Sequence, residues 1–188
     1  MPTRLRYGCR MMAALFCCIA GLSCENDARK VNDLLKKKTA VEEAIQVTSY
    51  MSQEGLMKAK LTSPYMLRYQ SDSPYVEFPR TLHVDFYNDS TKIESLLDAH
   101  YARFREFEHR VFLKDSVVVI NILKGDTLRT DELWWDQNKQ EFYTDKKVRI
   151  YQRDKTIYGT GLKAAQNFSW YDIFAINGIV MTSGDALQ

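Results

Sequence analysis

From about Ala44 onward, apolar and polar residues alternate with a period of two, and no long helical face is present. Ile45-Gln-Val47-Thr-Ser-Tyr50 predicts a strand, Gln53-Glu54-Gly55 a turn, and Leu56–Leu61 the hairpin partner. Between Pro64 and Pro79 three prolines predict an irregular or edge segment. Leu82–Tyr87 alternates again before an Asn88-Asp89-Ser90 turn. The stretch 93–108 fits either period, because Leu96, Leu97, His100 and Phe104 also match a helix; its β-forming residues, such as Tyr101, Phe104 and Phe107, favour strands. Val111–Leu123 predicts a strand pair around Lys114-Asp115, and Gly125-Asp126 leads into a strand Leu128–Trp135. Asp136–Lys139 turns, followed by short strands at Phe142-Tyr143, Val148–Tyr151 and Thr156–Leu162. Turn signals every 8–12 residues or so mark an all-β sandwich or barrel. Segments 93–119 and 128–157 repeat the order strand, turn, short strand, charged turn, strand at an offset of roughly 35, as stacked hairpins do. The expected class is an all-β, elongated antiparallel β-jellyroll or sandwich.

The N-terminus changes the picture. Arg4, Arg6 and Arg10 precede a thirteen-residue stretch, Met11–Ser23, that is largely apolar and ends in small residues: a secretory signal pattern. The run is shorter than the roughly 18–20 residues that span a bilayer. Gly21-Leu22-Ser23-Cys24 resembles a bacterial lipobox, although Gly21 stands where Leu is usual; Leu15-Phe16-Cys17-Cys18 is a weaker competitor, and an uncleaved short anchor is the other reading. The expected order is signal peptide 1–23, lipid attachment at Cys24, tether 24–41, β domain 42–182 and tail 183–188. Lys36-Lys37-Lys38 reads as a solvated run, with contact to anionic headgroups as the alternative.

Charge and cysteine content narrow the function. The formal charge is +2, from 26 basic and 24 acidic side chains. Without the three signal arginines, 23 bases face 24 acids, and no basic block is left to release counterions from nucleic acid. The four cysteines are Cys9, Cys17, Cys18 and Cys24, so the region beyond 24 has neither a disulfide framework nor a thiolate metal site. His83, His100 and His109 are expected in different strands, without metal-ligand spacing. No nucleophile elbow, phosphate-binding glycine loop or CxxC occurs. Asp131-Glu132 beside Trp134-Trp135 resembles a carboxylate pair with a sugar platform, but reads more simply as a bulge with one aromatic inside and one at the rim. No catalytic residue, metal or cofactor is expected. The chain reads as a binding protein and not an enzyme.

Leu128-x-Thr130-Asp131-x-Leu133-x-Trp135-Asp136, the short strand with Thr144, Val148-x-Ile150, Gly159-x-Gly161-Leu162 and Asn167-Phe168 together resemble the LptC family of the lipopolysaccharide export system, within the LptA/LptC/OstA-like superfamily. A weaker likeness runs back through Glu54-Gly55 and Phe78-Pro79. The resemblance implies a two-sheet jellyroll whose apolar interior holds the acyl chains of lipopolysaccharide. It implies two partners, an LptBFG-type inner-membrane ABC transporter at one edge and an LptA-like periplasmic jellyroll at the other. It also places the protein on the periplasmic side of the inner membrane of a Gram-negative bacterium, here through a lipid anchor. Carried over by residue, Phe78 lines the groove, Gly55 lies near the transporter joint, and Gly161 lies near the joint with the next jellyroll. Alternation adds Phe86, Leu128, Thr130, Leu133, Trp135, Val148, Ile150 and Ile157 as inward-facing. The likeness is broken by a lipobox-like end where many relatives have a spanning helix, by an apparent insertion at Tyr65–Phe78, and by a short tail after Ile179. The competing expectation is a structural or adhesive surface lipoprotein with a solid core.

Overall fold

A computed structural model describes residues 40–181; the signal, Cys24, most of the tether and the tail lie outside the described residues. Eleven antiparallel strands occupy this stretch, and no helix is present among the described residues. They are β1 (Ala40–Gln53), β2 (Leu56–Gln70), β3 (Tyr75–Phe78), β4 (Leu82–Tyr87), β5 (Ile93–Ala99), β6 (Tyr101–Arg105), β7 (Arg110–Asn121), β8 (Thr127–Asp136), β9 (Glu141–Tyr151), β10 (Lys155–Ala165) and β11 (Tyr171–Met181). Hydrogen bonding runs β11-β10-β9-β8-β7-β5-β4-β2-β3-β6, with β6 returning to β7 and β1 added to β2. This arrangement is consistent with a β-jellyroll.

The topology divides the sheet into two layers. Strand β7 pairs with β6 through Arg110–Lys114 and with β5 through Val118–Asn121, so one edge serves two partners in succession. Strand β2 does the same, holding β4 at Ala59–Thr62 and β3 at Leu67–Tyr69. Long strands such as β2 and β7 therefore pass from one layer to the other near the middle, and from β7 to β10 the ladders slip there. The β7–β8 register shifts between Lys114 and Val117, β8–β9 between Thr130 and Trp134, and β10–β9 between Thr160 and Leu162. Bulges bend and twist a strand. Asp115 and Ser116 adopt φ of 64° and 59°, and Gly161 adopts 77°. The crossings fall near positions 116, 131, 146 and 161, equally spaced in sequence, and form a corner line.

This geometry corrects several sequence expectations. Lys114-Asp115 is a bulge within one long strand, not a hairpin turn, and the short strands 142–143 and 148–151 are likewise the two halves of β9. The Pro64–Pro79 stretch is mostly strand: it completes β2 and, after a bend at Ser71–Pro74, supplies β3. Pro64 is tolerated because it sits opposite Gln46, which is left out of the β1 ladder, and in the gap between the β4 and β3 pairings, where no N–H is required. His83 lies in β4, but His100 and His109 fall between strands. The strands expected within 93–108 are β5 and β6, and the strand expected at Ile45–Tyr50 is the middle of β1.

The inner faces enclose one apolar core. Phe86 of β4 meets Trp135 of β8 and Phe142 of β9 edge-on, at centroid distances of 5.0 and 5.9 Å, which ties the two layers together. Opposite the corner line the rims are sewn by polar bonds. Ser95 Oγ donates to Gln166 O (3.1 Å), Asn121 Nδ2 to Asn167 O (2.7 Å), and Trp135 Nε1 to Gln166 Oε1 (2.8 Å). Phe168 is fully buried beneath that β10–β11 turn.

Candidate functional site

The interior is not filled to the same degree throughout. At the β1–β2 end a cleft of about 440 Å³ opens between the layers. Its walls include Val47 and Met51 of β1, Leu61 and Met66 of β2, and Phe78 of β3, and Trp135 contributes at depth. The volume lies within the ~300–1,000 Å³ typical of small-molecule pockets. Two methionines add side chains that adapt to irregular apolar shapes. Charge stays at the mouth, where Arg68 Nε donates to Glu106 Oε1 at 3.0 Å. Beside it the β1–β2 hairpin reaches the β8–β9 turn through Gln140 Nε2 donating to Gln53 Oε1 at 3.0 Å.

The residues nominated from sequence divide into three groups. Phe78 and Trp135 line the cleft. Phe86, Leu128, Thr130, Leu133, Val148, Ile150 and Ile157 are buried, as alternation requires, but they do not line this opening. The two glycines occupy different settings. Gly55 (φ 79°) and Glu54 (φ 53°) form a two-residue hairpin turn with both central residues left-handed, the type that favours glycine. Gly161 sits at the β10 crossing beneath Phe174 of β11, whose Cδ2 would stand 2.6 Å from an added Cβ. The β10 edge near Gly161 is therefore already occupied by the chain's own last described strand. Met51, Ala59, Leu61, Met66, Val76 and Phe104 were missed by the sequence reading; their only signal was alternation, which marks inward positions without distinguishing open space from packing.

Asp131 and Glu132 lie at the β8 bulge, with Trp135 buried and Trp134 half-buried between Phe112 and Tyr143. That is the bulge reading of the motif. Among the described residues no group of three or more potential ligands is placed to hold a metal ion.

His83, on the outer face of β4, is gripped by two carboxylates: Nδ1 lies 2.7 Å from Asp98 Oδ1 and Nε2 lies 3.1 Å from Asp85 Oδ1. Burial disfavours the charged ring, but the hydrogen bonds to Asp98 and Asp85 and their charges outweigh it, so the pKa is raised above 6.5. A raised folded pKa adds stability that is complete below pH 6.5 and lost as pH rises through the folded value. The His83→Gln variant should thus lose more stability relative to wild type at pH 5.5 than at pH 9. The difference should be only on the order of 0.5 kcal/mol because the ring is half-exposed and water screens the pair. Urea melts at the two pH values measure it, and an equal loss at both would contradict the charged clamp.

The edges complete the site. Among the described strands β1 pairs only with β2 and β11 only with β10, so each presents an unpaired outer edge. Apolar side chains stand in solvent on both, with Ile45 at 77% exposure and Phe174 at 69%. Open apolar edges invite strand addition. A family model described as lipopolysaccharide-assembly, LptC-related, matches residues 11–167. The chain belongs to the LptC-related family. No curated protein matches it. Membership places this LptC-related chain in lipopolysaccharide transport, in a family of transport and binding components associated with the periplasmic side of the inner membrane. No helix of the described residues is long and apolar enough to cross a membrane.

Proposed function

We propose that this LptC-related protein takes the acyl chains of lipopolysaccharide into the cleft between its layers and passes the lipid from the inner-membrane ABC transporter to the periplasmic bridge. The observation that carries this is the apolar opening at the β1–β2 end, lined by Phe78 and Trp135 between the two layers. Each methylene kept out of water gains roughly 0.8 kcal/mol, so even a partly enclosed tail is strongly favoured. Phe86 backs the cleft through its ring contact with Trp135, and Leu128, Thr130, Leu133, Val148, Ile150 and Ile157 continue the inward face of the layers. The domain performs no covalent chemistry in this scheme; the work comes from the transporter's ATP hydrolysis.

The two free edges fit the two joints. The β1 edge, beside the Gly55 turn, would take the transporter's periplasmic domain, and the β11 edge, over Gly161, an LptA-like jellyroll. Acylation of Cys24 would anchor the chain to the membrane. A second reading, a structural or adhesive lipoprotein, draws on the aromatic cluster of Phe86, Trp135 and Phe142, which closes the interior below the cleft.

Photocrosslinking separates the two. A photoreactive residue at position 78 or 135 of the full chain, irradiated in lipopolysaccharide-producing cells, should yield lipid adducts at least about tenfold above the same probe at Arg153 in the β9–β10 turn. Equal or absent adducts at all three positions would leave the structural reading.

A further inference from the structure

A second recess lies on the outside of the fold, beside the corner line. Strands β8, β9 and β10 place Arg129, Arg149 and Tyr158 in one cross-strand row, Arg129 opposite Arg149 and Arg149 opposite Tyr158. All three alternate outward, between the inward Leu128, Val148, Ile150 and Ile157. Lys147 is one outward position along β9, and Asn177 closes the far side, its amide donating to Thr160 Oγ1 at 3.0 Å. Together with Ser116 and Asp131 these side chains bound a space of about 550 Å³.

The charge in this recess is uncompensated. Like charges directly opposite each other on neighbouring strands repel. Elsewhere on the outer faces strand cations find carboxylates: Arg103 with Glu77, Arg110 with Asp136, Lys146 with Glu132, Lys163 with Glu141. Arg129, Lys147 and Arg149 make no ion pair with any described residue. Asp131 is the one carboxylate among the described residues lining the space, which leaves an excess of two positive charges. A single glutamate at 129 or 149 would have relieved the repulsion.

We propose that this recess binds a phosphate ester carried on a polar, sugar-sized scaffold. Two guanidiniums facing one space suit phosphate oxygens, which they engage through paired N–H donors, and the Lys147 ammonium adds a point charge. Tyr158 and Asn177 offer a ring face, a hydroxyl and an amide to the scaffold. The space is far larger than one phosphate ion and falls in the range of small-molecule sites. It shares no lining residue with the apolar cleft, so binding there does not require the cleft to hold lipid.

Calorimetric titration of the full chain in detergent tests this, with glucose 1,6-bisphosphate as the probe and inorganic phosphate as the comparison. The bisphosphate should bind saturably and at least about tenfold more tightly than phosphate, and Arg129→Ala/Arg149→Ala should weaken it by about tenfold or more. Asp131→Asn should tighten it by about threefold, and Arg149→Gln alone should weaken it by a similar factor, which serves if the double variant does not fold. Removing the facing arginines should not lower the melting temperature, and crosslinking of lipid in the cleft should be unchanged. Absence of saturable binding, affinity unmoved by the arginine substitutions, or phosphate bound as tightly as the bisphosphate would each overturn the proposal.

Discussion

Phe86→Ala should destabilise the domain by about 3–5 kcal/mol, a large share of the roughly 5–15 kcal/mol that holds such a domain folded. Phe86 is fully buried, and its ring packs on both Trp135 and Phe142 of the opposite layer. Truncation leaves a cavity where the layers are most tightly joined, and neighbours fixed in long ladders cannot collapse into it. The loss also reaches the candidate site, because Trp135 forms part of the cleft. Urea unfolding should show a lower midpoint with an unchanged slope. A loss below about 1 kcal/mol would mean that the layers are not joined through this cluster.

Gly159→Val should have the next largest effect, about 2–3 kcal/mol, concentrated at one strand pair. A Cβ at Gly159 would run into Ile173 Cγ2 and stand 2.9 Å from the carbonyl oxygen of Ala175, so backbone has to move. The β10–β11 ladder shifts register between Tyr158 and Gly159, and the variant should open it from there. Amide hydrogen exchange in β11 should accelerate while β4 and β5 keep their protection. Gly178→Val is the control, since an added Cβ there meets nothing within 4 Å. If both variants exchange alike, close approach at Gly159 is not what holds β11.

Alternation made most of the fold legible. Leu82, Val84 and Phe86, or Leu128 and Thr130, are inward at every second place, and the structure buries them all. The corners were illegible because charge interrupts the pattern there. Asp115 and Lys146 stand where alternation calls for an inward apolar residue, which is also how a turn reads. Only the ladder partners on either side, Lys114 with Glu132 and Val117 with Thr130, show that the strand continues. Pro64 misled for a related reason: its missing donor matters only where a neighbour needs it. The cleft was half legible. Phe78 and Trp135 came from resemblance and alternation, but where the interior stays open depends on how β1 and β2 stand off from the layers, and no local pattern encodes that.

The bulges also act as phase shifters. In β8 the buried positions run Leu128, Thr130, then Leu133, Trp135, and in β10 Ile157, Gly159, Gly161, then Leu162, Ala164, so odd and even places exchange at the crossing. Removing one residue there would restore plain alternation, with Leu133 and Trp135 on the face of Leu128 and Thr130, but the strand would lose the bend that carries it from one layer to the other. Sequence length at the corners is thus under tighter constraint than in the hairpin tips, and residue deletions should be far more damaging at 131–132 than in the turn at 122–125.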